Sequence, residues 1–473
     1  MVFSDNLFLF YFLPVFLIAY FICPHKLKNL FALGGSLAFY AFGAPTFIFI
    51  VLGSIIVDFY LVRIMVNSQG RKKNLLLAAS VALNIGLLLY FKYCNFFLEN
   101  ISVLLQTLGF SSIHWVKVAL PIGISFFSFQ KMTYAVDVYR KVHAPLKHVW
   151  DFALYILIFP QLIAGPIVRF NEIADEIEDR RKNETIDNKL TGFFRFAVGL
   201  AKKVFIANTL GEQVDIIFAT QPGELTTPVA WMGVIAYAFQ IYFDFSAYSD
   251  MAIGLGRMMG FNFPENFNNP YISQSISEFW RRWHMTLGRW MRDYLYIPLG
   301  GSKVSVKRMY INLWIVFLIS GFWHGAAWNF IIWGAFHGFF LIADRMFLLK
   351  FYAFIGKYPS IFITFIITLV GWVYFRADSL SYANAYLVKM FSFELVSFRY
   401  LFDTKFYMIL IAAIIFSFYA VLPGTEKWQI RVFHEKQKNH TILLMSFAAI
   451  FLVFVSASVL SSSGFNPFIY FRF

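Results

Sequence analysis

The chain alternates between long apolar stretches and short, mostly basic polar loops. Apolar runs of about 20 residues can cross a hydrocarbon core of about 30 Å. The predicted apolar segments cover residues 7–23, 30–42, 47–65, 75–97, 118–129, 153–167, 193–210, 229–255, 310–322, 328–342, 362–375, 406–422 and 442–460. Only helices and closed barrels satisfy the backbone in lipid, and barrel strands would alternate apolar with polar residues. We therefore predict an all-α polytopic membrane protein with about ten crossings.

The charges of the loops predict the orientation. The loop containing Arg71, Lys72 and Lys73 and the loop at 427–438 are basic, whereas residues 211–227 carry acidic residues and no lysine or arginine. Since cytoplasmic loops are enriched in Lys and Arg, both basic loops are predicted inside and both termini outside. The number of full crossings is then even.

Two of the apolar segments are interrupted by helix-breaking residues. Pro121 and Gly123 interrupt 118–129, and Pro160, Gly165 and Pro166 interrupt 153–167. Irregular backbone at membrane depth is tolerated where protein or a cavity satisfies its polar groups. These segments are therefore either re-entrant, cavity-lining elements or two ordinary kinked spans.

Composition excludes several classes of protein. Apolar residues make up 59% of the 473 residues and charged residues only 14%, which is too little polar surface for a soluble, disordered or fibrous protein. Cys23 and Cys94 show no disulfide or metal-ligand spacing, so no metal site is expected. The net charge of +14 lies in short loops, which favours membrane orientation over nucleic-acid binding. We expect one integral-membrane domain over residues 1–473.

A basic segment at residues 275–308 is the most polar region near the membrane. If it forms one continuous helix, an aromatic face and an arginine face lie on opposite sides. The aromatic face contains Trp280, Trp283, Leu287, Trp290 and Tyr294, and the other face contains Arg281, Arg282, Arg289 and Arg292. The pattern predicts an interfacial helix that is either a membrane anchor or the mouth of a site for an anionic ligand.

Three histidines are candidates for chemistry. His324 lies at the end of an apolar run between two glycines, where an ionisable group is costly and a neutral imidazole can act as a general base. His284 borders the aromatic face, as either a packing residue or a catalytic one. His337 follows His324 by thirteen residues, about 140° around a continuous helix, so we expect it to face elsewhere and to serve packing.

The chain resembles the membrane-bound O-acyltransferase family, and most closely its alginate O-acetylation branch. The resemblance rests on motifs spread along nearly the whole sequence. They are residues 1–4 (MVFS), 10–14 (FYFLP), 121–126 (PIGISF), 159–167 (FPQLIAGPI), 244–250 (DFSAYSD), 279–284 (FWRRWH), 296–301 (YIPLGG), 321–325 (GFWHG) and 468–473 (FIYFRF). Together they are far more specific than any single motif.

The resemblance implies a fold and a set of site residues. Tilted helices, with re-entrant and interfacial helices, would surround a central tunnel with one mouth on each side. His324 matches the family's catalytic histidine and His284 a second important polar position. Neighbouring residues are expected to bind the donor or line the tunnel, and these are Arg281, Arg282, Trp283, Trp323, Asp244 and Asp250.

The resemblance also implies the reaction. An acyl group, with acetyl expected, would move from a cytoplasmic thioester such as acetyl-CoA across the bacterial inner membrane to an extracytoplasmic polysaccharide such as alginate. The expected partner is an extracytoplasmic SGNH-type O-acetyltransferase or polysaccharide-modifying protein, with membrane lipids around the chain. The donor is a substrate, and no bound cofactor is expected.

Other functions stay open from the sequence. Within the family, D-alanyl transfer to teichoic acid would need an acyl carrier protein, and peptidoglycan is another possible acceptor. From a different class, a proton-coupled transporter could use Asp244, Asp250, His284 and His324 as a relay, although no inverted repeat is present and helix-end carboxylates facing water are an alternative. A non-catalytic scaffold would leave His324 unexplained.

Overall fold

The computed structural model describes residues 3–163, 165–394, 402–462 and 464–467. Residues 1–2, Ala164 and 468–473, which belong to the sequence motifs above, lie outside the described residues. Helices joined by turns and irregular segments make up this part of the chain, and no strand occurs in it. The all-α prediction is confirmed.

The first of two units consists of residues 7–185 and 256–264. A π-helical turn, Phe8–Phe12, leads into its first helix. The helices are α1 (Leu13–Ile22), α2 (Lys28–Gly43), α3 (Ile48–Val66), α4 (Gly70–Leu88), α5 (Cys94–Thr107), α6 (Ile124–Tyr139), α7 (Val149–Leu157), α8 (Phe159–Leu162) and α9 (Phe170–Glu178).

Both interrupted segments of the sequence contain real helix breaks in this unit. Gly123 has a left-handed backbone (φ 78°) immediately before α6, and a Cβ there would lie 2.7 Å from the carbonyl oxygen of Leu162. Only glycine combines that conformation with such a close approach. The helix α7 ends at Leu157, and Pro160 lies in the first turn of the short helix α8. Whether these segments are re-entrant stays a prediction.

A buried polar cluster joins α3, α4 and α6, and we call it the Asp58 cluster. The carboxylate of Asp58 accepts hydrogen bonds from Ser80 Oγ (2.6 Å) and Asn84 Nδ2 (2.7 Å). Lys131 Nζ lies 3.4 Å from the same carboxylate and donates to Ser54 Oγ at 2.9 Å. The two charges are paired within the cluster and both carboxylate oxygens have donors, while Oδ1 of Asn84 is buried without a hydrogen-bond partner among the described residues. Pairing of this kind is how buried charges are tolerated.

The second unit consists of residues 2–6, 186–255 and 265–473. Its helices are α10 (Ile186–Ala201), α11 (Asn208–Ala219), α12 (Thr227–Met258, whose last turn belongs to the first unit), α13 (Ile276–Arg282), α14 (Met285–Met291), α15 (Val306–His324), α16 (Trp328–Ala343), α17 (Leu349–Ile355), α18 (Lys357–Arg376), α19 (Leu380–Met390), α20 (Thr404–Phe418), α21 (Thr425–Phe433) and α22 (Asn439–Ser462).

Several helices have the length and apolar composition of membrane spans. Five such helices occur in the described residues: Ile48–Val66, Gly70–Thr107, Lys357–Arg376, Thr404–Val421 and Asn439–Ser462. On α22, the side chains of Phe447, Phe451 and Phe454 are 63–73% exposed, which suits a surface covered by lipid rather than water. The chain is a multi-pass membrane protein. The total of about ten crossings and the single domain over 1–473 stay predictions.

Candidate active site

Two glycines let α15 and α16 pack with their backbones in contact. A Cβ on Gly321 would lie 2.3 Å from the carbonyl oxygen of Phe330, and one on Gly334 would lie 2.4 Å from that of Phe317. Any larger side chain would push the helices apart, as at small-residue interfaces of membrane helices generally. The close approach fixes the C-terminal end of α15, where His324 lies.

His324 is the last residue of α15 and is enclosed by aromatic rings. Its ring centroid lies 5.0 Å from that of Trp323, 5.1 Å from Trp333 and 5.3 Å from Phe375. The side chain is only 7% exposed. The sequence prediction that this histidine ends an apolar helix is therefore confirmed, and the environment is one from which bulk water is largely excluded.

The segment at 275–308 does not form one continuous helix, and the prediction of a single amphipathic helix is wrong. The chain leaves α13 at Trp283, whose backbone is extended, and His284 adopts a left-handed conformation (φ 46°, ψ 50°) before α14 begins. The break is set by contacts distant in sequence. The amide of Met285 donates to the carbonyl of Asn266 at 2.9 Å, and the carbonyl of Arg282 accepts from Asn268 at 2.9 Å.

The break places His284 near His324. The two imidazole centroids are 6.4 Å apart, and the ring of Phe245 from α12 packs 4.7 Å from His284. Nδ1 of His284 is 3.0 Å from Oδ1 of Asn266, whereas its Nε2 has no hydrogen-bond partner among the described residues. Burial lowers the pKa of His284 to about 3, so the imidazole is neutral at physiological pH and one nitrogen carries a lone pair.

A cavity of about 430 Å³ adjoins His284. Apolar side chains from α13–α15 form most of its wall, together with three arginines. The lining residues are Trp280, Arg281, His284, Met285, Leu287, Gly288, Arg289, Met291, Arg292, Tyr296, Leu313, Val316, Phe317 and Ser320. Such a cavity can hold the apolar part of a ligand while the arginines attract its anionic part.

Three further predicted residues occupy different places. Arg282 is absent from the cavity wall and instead pairs with Glu278, Nε to Oε1 being 2.9 Å. Trp283 packs in an aromatic cluster, 4.9 Å from the ring of Trp372. Trp323 lies beside both histidines, its ring 5.0 Å from that of His324 and 6.3 Å from that of His284. Of the predicted arginine pair, only Arg281 lines the cavity.

Asp244 and Asp250 form ion pairs inside the second unit. Asp244 lies 2.8 Å from Lys203 Nζ, and Asp250 lies 2.9 Å from Arg195 and 2.7 Å from Lys202. Both are buried within α12, so the alternative of helix ends facing water is wrong. Neither lines the 430 Å³ cavity, whereas Asp250 lines a separate, much smaller polar cavity of about 40 Å³.

His337 lies on a different helix from His324, so the predicted angle of about 140° between them does not apply. The helix α15 ends at His324 and α16 begins at Trp328, so the two histidines do not share a continuous helix. His337 is fully buried, its ring 5.0 Å from that of Trp280 and 5.1 Å from that of Trp333. The prediction that it serves packing remains open to test.

Asn266 is a site residue that the sequence analysis missed. Its Oδ1 accepts from Thr286 Oγ1 at 2.8 Å, and its Nδ2 donates to Ser249 Oγ at 3.1 Å. We call the group of His284, Asn266, Thr286 and Ser249 the Asn266 network. The sequence feature that could have pointed to Asn266 is the segment 262–269, which contains four asparagines. Asparagines are common in loops, so this composition does not single out one residue.

These features define a polytopic membrane protein with two neighbouring buried histidines, one of which lines an arginine-lined cavity. Residues 83–383 match the model of the membrane-bound O-acyltransferase family. Since this match covers more than half of the chain, the protein belongs to the membrane-bound O-acyltransferase family and is an O-acyltransferase.

Curated relatives agree with this assignment over long alignments. The chain is 39% identical to a "Probable alginate O-acetylase AlgI" of Pseudomonas putida, with 100% of each chain covered. It is 43% identical to the protein of the same name in Pseudomonas aeruginosa, over 83% of this chain and 75% of that one. It is 38% identical to a peptidoglycan O-acetyltransferase of Helicobacter pylori, over 84% and 81%.

Proposed function

We propose that this protein carries an acetyl group from a cytoplasmic thioester across the bacterial inner membrane for O-acetylation of an extracytoplasmic polysaccharide such as alginate. The observation that carries the proposal is the pair of buried histidines 6.4 Å apart, one of them beside an arginine-lined cavity. The names of the relatives support acetyl as the group transferred. No bound cofactor takes part, because the thioester is itself the substrate.

The cavity suits a thioester donor such as acetyl-CoA. Its volume of about 430 Å³ falls in the range of small-molecule sites, about 300–1,000 Å³. Arg281 and Arg292 are exposed at its wall and can attract the phosphates, while the apolar side chains accommodate the pantetheine arm. The acetyl thioester would then reach toward His284 and His324.

His324 acts as the general base in the proposed reaction. Its imidazole takes the proton from the accepting hydroxyl as the hydroxyl oxygen attacks the thioester carbonyl carbon. A C–O bond forms, the C–S bond breaks, and the departing thiolate takes the proton back from the imidazolium. The aromatic enclosure excludes water, which strengthens polar interactions in the transition state and suppresses hydrolysis.

The accepting hydroxyl belongs either to the polysaccharide or to a serine of an extracytoplasmic partner of the SGNH type. A partner would receive the acetyl group at the outer face and pass it to the sugar. Peptidoglycan is the second candidate acceptor, favoured by the 38% identity to the Helicobacter pylori relative.

Radiolabelled acetyl-CoA supplied to the purified protein in liposomes tests the proposal. We expect slow hydrolysis alone and faster transfer when the candidate partner with alginate or peptidoglycan is added. His324→Ala should lose this activity by a factor of about 10²–10⁴, the usual contribution of a general base. His440→Ala, at an exposed position on α22, is the matched control and should be unchanged.

Two results would count against the proposal. Full activity in a folded His324→Ala variant would show that His324 is not the general base. If the wild type turned over no acetyl-CoA with any partner, acetyl-CoA would be excluded as the donor. In the second case, an acyl carrier protein supplied as donor would separate D-alanyl transfer from the transporter alternative.

A further inference from the structure

The side-chain amide of Asn266 has one orientation. Its Oδ1 lies 3.4 Å from the backbone nitrogen of Thr286 and 2.8 Å from the Thr286 hydroxyl, and its Nδ2 lies 3.1 Å from Ser249 Oγ. A backbone N–H can only donate, so the atom facing it must be the amide oxygen. A flipped amide would set two donors against each other.

This orientation determines where the proton of His284 lies. Nδ1 of His284 is 3.0 Å from the same Oδ1, which has lone pairs and no hydrogen. Nδ1 must therefore be the donor, and in a neutral imidazole Nε2 then carries the lone pair. That Nε2 is buried and has no hydrogen-bond partner in the part of the chain that the structure describes.

Nε2, the unpaired nitrogen, belongs to His284, which is part of the cavity wall. His284 lines the 430 Å³ cavity, Nδ1 is occupied by Asn266, and Nε2 is the remaining nitrogen, which other atoms cover in this structure. An unpaired buried acceptor costs about 1–3 kcal/mol, which a hydrogen-bond donor in the cavity would recover. Hydroxyl and amide N–H groups of a substrate are such donors.

We propose that Asn266 is a positioning residue that holds His284 in its Nδ1–H form, so that Nε2 accepts a hydrogen bond from substrate in the cavity. This role deepens the proposed function and rests on it for the identity of the substrate. The assignment of the proton, however, rests only on the contacts of the Asn266 network.

The first test reads the tautomer directly, without any turnover. The full-length protein is labelled with ¹⁵N-histidine in lipid, and solid-state NMR signals of His284 are assigned by difference from His284→Ala. We expect a protonated Nδ1 and an unprotonated Nε2 in the wild type. Asn266→Ala should move the proton partly or wholly to Nε2, whereas Ser249→Ala, which keeps the Oδ1 acceptor, should leave it on Nδ1.

The second test uses the conservative variant Asn266→Asp. A carboxylate keeps the acceptor for Nδ1–H but adds a negative charge, which favours the imidazolium and raises the pKa of His284. Since the role requires a neutral Nε2, the acid limb of the transfer rate against pH should move to higher pH. The other titratable or charged groups near His284 are His324, 6.4 Å away between ring centroids, and the arginines Arg281, Arg289 and Arg292, which line the same cavity. Phe245 contributes only an apolar ring.

The expected kinetic effect is a fall in kcat of about tenfold or more in Asn266→Ala, with Asn266→Asp recovering activity on the alkaline side. The proposal is overturned if wild-type His284 carries its proton on Nε2, or if folded Asn266→Ala keeps it on Nδ1. Should Asn266→Ala fail to fold, an unmoved pH profile in Asn266→Asp overturns it. Failure of acetyl transfer alone would count against the proposed function and leave the tautomer result intact.

Discussion

The Asp58 cluster of the first unit and the Asn266 network of the second are both buried among helices, yet they end differently. Around Asp58, both carboxylate oxygens have donors and the ammonium of Lys131 has acceptors. Around Asn266, the hydrogen bonds lead to His284, which lines the cavity, and stop at its buried Nε2. Burial of polar groups alone does not distinguish structure from function.

The difference suggests which measured property each cluster affects: the free energy of unfolding or the transfer rate. The charges of the Asp58 cluster are paired and its residues do not line the 430 Å³ cavity, so its disruption should be seen in unfolding. The Asn266 network ends at an unpaired acceptor of a cavity-lining residue, so a substitution there should change binding or catalysis more than the free energy of unfolding. The following substitutions separate these two effects.

The largest effect is expected for Lys131→Met. Removing the ammonium leaves the Asp58 carboxylate buried without its counter-charge, which costs about 3–5 kcal/mol in the free energy of unfolding. Thermal or denaturant unfolding in detergent measures the loss. The double variant Asp58→Leu/Lys131→Met, which removes both charges, should recover much of it. Lost transfer with unchanged stability in Lys131→Met would show that the Asp58 cluster has a functional role.

The opposite pattern is expected for His284→Asn. Asparagine tolerates the left-handed backbone at this position but removes the imidazole. The transfer rate should fall about 10²-fold, while the free energy of unfolding changes by less than about 1 kcal/mol. Steady-state transfer and unfolding are measured on the same preparation. A large loss of stability with normal transfer would place His284 with the Asp58 cluster as a structural group.

A smaller effect is expected from Gly334→Ala. The new Cβ would lie 2.4 Å from the carbonyl of Phe317, so α15 and α16 must separate, at a cost of about 1–3 kcal/mol. Because His324 ends α15, kcat should fall as well. Gly338→Ala, one turn along the same helix, is the matched control, since its Cβ would meet Phe317 at an ordinary 3.4 Å. If the two variants lost the same free energy of unfolding and the same kcat, close packing of α15 and α16 at Gly334 would not be the cause.

The smallest effect is expected for Arg281→Gln. With one of three cavity arginines neutralised, the KM for acetyl-CoA should rise about two- to fivefold without a change in kcat, and the effect should shrink at high salt. Arg282→Gln is the control, because Arg282 pairs with Glu278 away from the cavity wall. A KM effect of the same size in both variants would argue against electrostatic capture by the cavity.

The sequence predicted the features that depend on neighbouring residues. Long apolar runs gave the helical membrane architecture, and the glycine-bounded His324 was placed correctly at the end of an apolar helix. In each case the structure depends on residues within one helical turn or one apolar run, where helix propensity and the length of the apolar run determine the helix and its end.

The features that the sequence did not predict depend on contacts between distant residues. Periodicity described 275–308 as one helix, but backbone hydrogen bonds to residues 266 and 268 break it at His284. The carboxylates of Asp244 and Asp250 find their lysine and arginine partners on other helices. Helical periodicity carries no information about such pairings.

The tryptophans that enclose His324 are intrinsic fluorescent probes of the site. Trp323 and Trp333 lie about 5 Å from this imidazole, and Trp280 forms part of the cavity wall. A thioester entering the cavity would change the polarity around these indoles, and an imidazolium formed at His324 would quench their emission. Tryptophan fluorescence in a stopped-flow instrument could therefore follow donor entry and proton transfer as separate phases, without any label attached to the chain.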